Sequence, residues 1–130
     1  MTPEMLRART KRFALDIVRF WRRIPTTDDA RVLGRQLLRS ATSVGANYRS
    51  ACLARSKAEF VARMGLVLEE ADETVFWLEL LEESGATPAG AATGLRNEAL
   101  QLTRIFAASL RTARGPRTPR DSPPAQRPHP

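Results

Sequence analysis

Apolar residues recur at steps of three and four through four separate stretches of the chain. In the first stretch they are Leu6, Phe13, Ile17, Phe20 and Ile24, flanked by Ala14, Val18 and Trp21. In the second they are Leu33, Leu37, Ala41, Val44, Tyr48 and Cys52. In the third they are Phe60, Met64, Val67, Ala71, Thr74, Leu78 and Leu81, and in the fourth Leu95, Ala99, Leu102, Phe106 and Ala113. That spacing puts each set on one face of a helix. No stretch alternates with period two, so no strand is expected.

The breaks between these stretches carry helix signals. Thr2-Pro3 is an N-cap followed by proline at the first helical position, and Pro25 stops the first helix near Arg23. Thr26, Thr27 and Asp28 cap a second helix expected from about Asp29 to Ala54. Ser56-Lys57-Ala58-Glu59 is a capping box, so a third helix starts at Lys57 and runs to about Glu83, before Gly85. Thr87-Pro88 repeats the cap-then-proline signal, although Gly90 and Gly94 allow a start as late as Thr93. Gly115-Pro116 ends the fourth helix at Arg114. Four amphipathic helices with short connections predict an all-α, antiparallel up-down-up-down four-helix bundle over residues 1–114.

Composition sets the limits of that bundle. The chain has 130 residues, 42% of them hydrophobic, which is enough for one packed core. Residues 115–130 contain six prolines and no large apolar side chain, and are read as a disordered Pro/Arg-rich tail. The PxxP formed by Pro116 and Pro119 is read as part of that composition. One Cys and one His exclude an internal disulfide and a Cys/His zinc site. The single histidine, His129, lies in the tail, so Ser40 and Ser43 have no base to activate them. No catalytic residue, metal or cofactor is expected. No stretch approaches the roughly 20 apolar residues of a membrane span. The N-terminal residues lack the apolar core of a signal peptide, and a lone Cys52 suits a reducing compartment, so a cytoplasmic protein is expected.

Charge changes the picture most. The net charge is +7, and arginine supplies 19 of the 21 basic residues. Residues 1–24 carry a net +5, 25–56 a net +3, and 85–114 a net +3, whereas 57–84 carry −6. Three helices are therefore basic and the third is acidic. Lys11, Arg12, Arg19, Arg22 and Arg23 fall opposite the core stripe of the first helix, in a row about 18 Å long. A guanidinium is always charged and bonds phosphate oxygens in pairs, so this row is a candidate nucleic-acid-backbone surface. A solvated face, pairing with the acidic helix of a neighbouring copy, and simple arginine-rich codon usage are the alternatives. No aromatic is interleaved with the row, so base stacking is not expected.

Two further stripes stand out. Leu66, Phe76, Trp77 and Leu80 lie on the third helix away from its core stripe, among Glu69, Glu70 and Glu73. Unless loops or the tail cover them, a monomer exposes them, which makes Leu66, Glu70, Glu73, Phe76, Trp77 and Leu80 candidates for an oligomer interface. On the second helix, Gln36, Ser40, Ser43 and Asn47 recur beside the apolar stripe within a run of small residues. They are expected to hydrogen-bond across a helix contact, and Arg39 to reach Glu70 or Glu73.

The run Gln36–Arg49, QLLRSATSVGANYR, resembles the signature of the bacterial four-helix-bundle family, also called the 23S rRNA intervening-sequence or S23-like family. The likeness resumes at Ser56-Lys57, Glu59-Phe60 and Met64-Gly65, continues over Glu69–Thr74, and closes on Trp77–Leu81. Many members carry Glu where this chain has Ser50. The resemblance implies an antiparallel bundle that assembles as a ring-like homopentamer. The family is similar in fold to basic accessory proteins of retroelements, which bind nucleic acid and a reverse transcriptase. It implies no enzymatic activity. Two readings of function follow: an oligomer that binds RNA or DNA backbones, and an oligomeric adaptor for another protein with no nucleic-acid role.

Overall fold

The computed structural model describes residues 1–116, and the expected tail lies almost wholly outside them. Four helices make up the fold: α1 Pro3–Arg23, α2 Asp28–Ala51, α3 Lys57–Glu83 and α4 Thr93–Arg114. No strand occurs among the described residues. Each helix packs against the next in sequence, and a narrower α1–α4 contact closes the bundle. A Cβ on Gly34 would meet Trp21 and Ile24, and one on Gly45 would meet Thr10. As α2 advances its neighbours on α1 recede, so these two helices run in opposite directions.

The helix ends follow from particular residues. The Thr2 hydroxyl accepts from the Met5 N–H, and Pro3 fills the first turn of α1. At α3 the Ser56 hydroxyl accepts from the Glu59 N–H at 3.1 Å. The Glu59 carboxylate reaches back to the Arg55 N–H rather than to Ser56, and it also holds Arg63. Those two donors keep the Glu59 carboxyl below its ordinary pKa.

Two boundaries differ from expectation. Helix α2 stops at Ala51 instead of Ala54, because the Leu53 and Ala54 N–H groups bond three residues back, to Ser50 and Ala51, and tighten the turn. Helix α4 takes the late start, at Thr93. Thr87 is buried, and its hydroxyl donates to the Leu81 carbonyl instead of capping a helix. Gly90 turns the chain at φ +83, a conformation side chains rarely adopt.

The core is one cluster drawn from all four helices. Leu6, Phe13, Ile17, Leu37, Val44, Met64, Val67, Leu78, Leu81, Leu102 and Phe106 are all buried, as the periodicity predicts. Ile24, Leu33, Cys52, Phe60 and Leu95 sit half-buried at its margins. Tyr48 packs on Phe106 with ring centroids 5.7 Å apart. Ala30, Val75, Leu110 and Thr10 are also buried, beyond the predicted stripes. The apolar residues of α3 are spread around the helix rather than gathered on one side, consistent with two apolar faces.

Candidate nucleic-acid interface

Helix α1 buries Leu6, Phe13, Ile17 and Phe20, so the opposite side must face solvent. Lys11, Arg12, Arg19, Arg22 and Arg23 are all exposed there. Arg19 makes a 3.4 Å ion pair with Asp16, one turn back. Among the described residues Lys11, Arg12, Arg22 and Arg23 have no ion-pair partner. Leu15, 45% exposed, lies among them.

The other α1 arginine of note is neutralised. Arg9 binds Glu98 on α4 through two parallel bonds of 2.9 and 2.6 Å, and adds Gln101 at 3.0 Å. The bonded carboxylate holds the Arg9 pKa above its ordinary value. Arg9 thus ties α1 to α4, while Lys11, Arg12, Arg22 and Arg23 meet no carboxylate among the described residues.

Grooves beside α1 extend the basic surface onto α2. One is lined by Arg7, Lys11 and Arg49 over a floor of Ala14, Gly45 and Ala46. Another, at the α1–α2 turn, is lined by Trp21, Arg22, Ile24, Pro25, Arg31 and Arg35. The latter corrects the expectation that no aromatic accompanies the arginines. Trp21 sits next to Arg22 in sequence, but its companions Arg31 and Arg35 come from the next helix.

The acidic side of the bundle is α3. Arg39 on α2 binds Glu70 at 3.3 Å and also pairs with Glu73 and Gln36. Glu73 in turn accepts from the Trp77 indole N–H at 3.0 Å. Glu70 and Glu73 are therefore engaged within the chain. Leu66 and Phe76 remain about half exposed, at 51% and 46%, and Trp77 and Leu80 are half-buried. Phe76 and Trp77 are in tilted contact, with ring centroids 5.1 Å apart.

The polar stripe of α2 behaves differently from expectation. Only Ser40 crosses a helix contact: its hydroxyl lies 3.0 Å from that of Thr74 on α3, both buried. Ser43 donates to the Arg39 carbonyl, Asn47 to the Ser43 carbonyl, and Gln36 accepts from Arg39, all within α2. A helical carbonyl three or four residues back is always within reach of these short side chains, so no partner helix is needed.

No group of three His, Cys, Asp or Glu among the described residues is placed to hold a metal ion. Burial, helped by neighbouring Cys52, pushes the Tyr48 phenol up to about 12, so it is protonated at neutral pH. No helix is long and apolar enough to cross a membrane.

A family model described as the 23S rRNA-intervening sequence protein matches residues 6–108, all four helices of the bundle. The chain belongs to that family. The match includes the whole α1 row from Lys11 to Arg23, as well as the polar stripe and the outer face of α3. A crystal structure of a Bacteroides thetaiotaomicron protein of unknown function, from the S23 ribosomal protein family, superposes with a TM-score of 0.77. The two are 29% identical, over 85% of this chain and 98% of that one. No curated protein matches significantly. Neither description names an enzymatic activity. For this 23S rRNA-intervening sequence family member, the exposed cations and the half-exposed α3 face are the features that point outward.

Proposed function

We propose that the chain is a non-enzymatic, self-associating helical-bundle protein that binds RNA or DNA backbones through the arginine-rich side of α1. The observation that carries this is the row Lys11, Arg12, Arg22 and Arg23, exposed and without acidic partners among the described residues. Arg9, Arg39, Arg63 and Arg96 each meet a carboxylate, whereas the four cations of this row do not. Unpaired like charges repel, so a row of them is best satisfied by an external polyanion. The net charge of +7 adds a long-range attraction for phosphate.

Self-association rests on α3. Leu66 and Phe76 keep about half their surface in water, and Trp77 and Leu80 adjoin them. A second copy of the chain is the proposed partner, in the pentamer that the family resemblance implies. The bundle then has two working sides, because α1 and α3 are not in contact. The rival role, an adaptor for another protein, draws on the same α3 face.

Purification from the cells that make the protein, followed by sequencing of co-eluting nucleic acid, tests the proposal. The expected result is a nuclease-sensitive nucleic acid that leaves at high salt. A protein that elutes free of nucleic acid and ignores mixed RNA and DNA oligomers at low salt contradicts it.

A further inference from the structure

The groove at the α1–α2 turn combines an aromatic ring with three cations. It encloses about 520 Å³ and is lined by Trp21, Arg22, Ile24, Pro25, Thr26, Ala30, Arg31 and Arg35. Trp21 is 38% exposed although it is a large apolar residue beside the core. Its indole N–H has no hydrogen-bond partner among the described residues, in contrast to that of Trp77, which binds Glu73. Arg22, Arg31 and Arg35 are exposed and have no ion-pair partner there.

The ring is also held in place. Gly34 has no side chain, so Trp21 and Ile24 pack directly on the backbone of α2. A Cβ at Gly34 would stand 3.1 Å from Ile24 Cδ1 and 3.4 Å from Trp21 Cδ1. Arg31 and Arg35 are four residues apart on α2 and rise from the same side of that helix. Asp28 and Asp29 are near in sequence but do not line the groove. The Thr27 hydroxyl and the Ala30 N–H beside it hold the Asp29 carboxyl below its ordinary pKa.

We propose that this groove binds single-stranded nucleic acid, one base stacking on Trp21 while the flanking phosphates bind Arg22, Arg31 and Arg35. The inference rests on the nucleic-acid reading above and sharpens it to single strands, whose bases are free to stack. Every base offers a π-face, so the site accepts bases without reading sequence. A paired duplex presents phosphates to the arginines and keeps its bases out of reach of the ring.

Tryptophan emission reads this out directly. The Trp77→Phe variant leaves Trp21 as the sole tryptophan. Oligo-U and oligo-dT of ten nucleotides are titrated, with a ten-base-pair duplex alongside, and binding is followed independently by anisotropy. The expected result is quenching of Trp21 by single strands and none by duplex; the U and dT arms show whether RNA or DNA is preferred. Trp21→Ala weakens single-strand binding about 5- to 150-fold. Arg31→Ala and Arg35→Ala weaken both arms, whereas Arg104→Ala on α4 changes neither. Comparing the unmodified chain with Trp21→Phe gives the same emission difference if Trp77→Phe folds poorly. Oligomers that bind with Trp21 emission unchanged overturn the groove while leaving the α1 row intact. No binding of any oligomer or duplex at low salt overturns both.

Discussion

Tyr48 is the chain's one tyrosine, so its titration is visible without interference. Burial against Phe106 disfavours the charged phenolate and raises its pKa to about 12. The unfolded phenol loses its proton first, so stability falls as pH rises from about 10 toward 12. Absorbance at 295 nm should show a native midpoint near 12 and one near 10 in denaturant. A native midpoint of 10 contradicts the buried position. Gly65 offers an opposite kind of test. It lies inside α3 with nothing within 4 Å of where a Cβ would go. Gly65→Ala should therefore stabilise the fold by about 0.5–1 kcal/mol, read as a higher denaturation midpoint. Ser40 and Thr74 form a tighter constraint. Their two hydroxyls make three contacts, to each other, to the Leu37 carbonyl and to the Glu70 carbonyl. Thr74 has one proton for Ser40 and the Glu70 carbonyl, and Ser40 donates to the Leu37 carbonyl. Ser40→Val breaks that chain and adds volume at a buried site, and should cost about 1–3 kcal/mol by chemical denaturation.

At the scale of the helix, most of the fold was legible because its determinants are local. Thr2-Pro3, Ser56 to Glu59 and Gly115 are read within four residues, and they bound α1, α3 and α4 where expected. Thr87-Pro88 misled, because whether a threonine caps a helix or buries itself against Leu81 depends on the turn that follows. The polar stripe misled for a related reason: periodicity places Gln36, Ser43 and Asn47 on one face but does not say that Gln36 will accept from Arg39, or that Ser43 and Asn47 will bond carbonyls of their own helix. The Trp21 groove was hidden because its arginines come from two helices joined through Pro25 and Thr26. The second apolar face of α3 was legible, since the core stripe and the outer residues occupy different sides of one helix. If that face joins copies, Leu66→Glu or Phe76→Glu should convert the oligomer to a monomer by light scattering while the helical circular dichroism is retained. A wild-type monomer at micromolar concentration contradicts the interface.

The whole molecule divides its charge by helix. Acidic groups gather on α3, where Arg39 meets two of them, and on the outer side of α1 Lys11, Arg12, Arg22 and Arg23 have no ion-pair partner among the described residues. This division gives a field with direction, which a uniformly basic surface lacks. Arg9 and Glu98 span the narrow α1–α4 contact and fix how α1 presents that side. The central claim is that the free α1 cations bind phosphate. Its most direct test is the salt dependence of affinity for mixed RNA and DNA oligomers, measured by fluorescence anisotropy on the full chain. Binding should weaken steeply with salt, and Arg12→Ala should make the slope of log K against log salt shallower by about one unit. Binding whose salt slope is unchanged by Arg12→Ala and by alanine at Lys11, Arg22 and Arg23 contradicts the account, as does no binding at low salt.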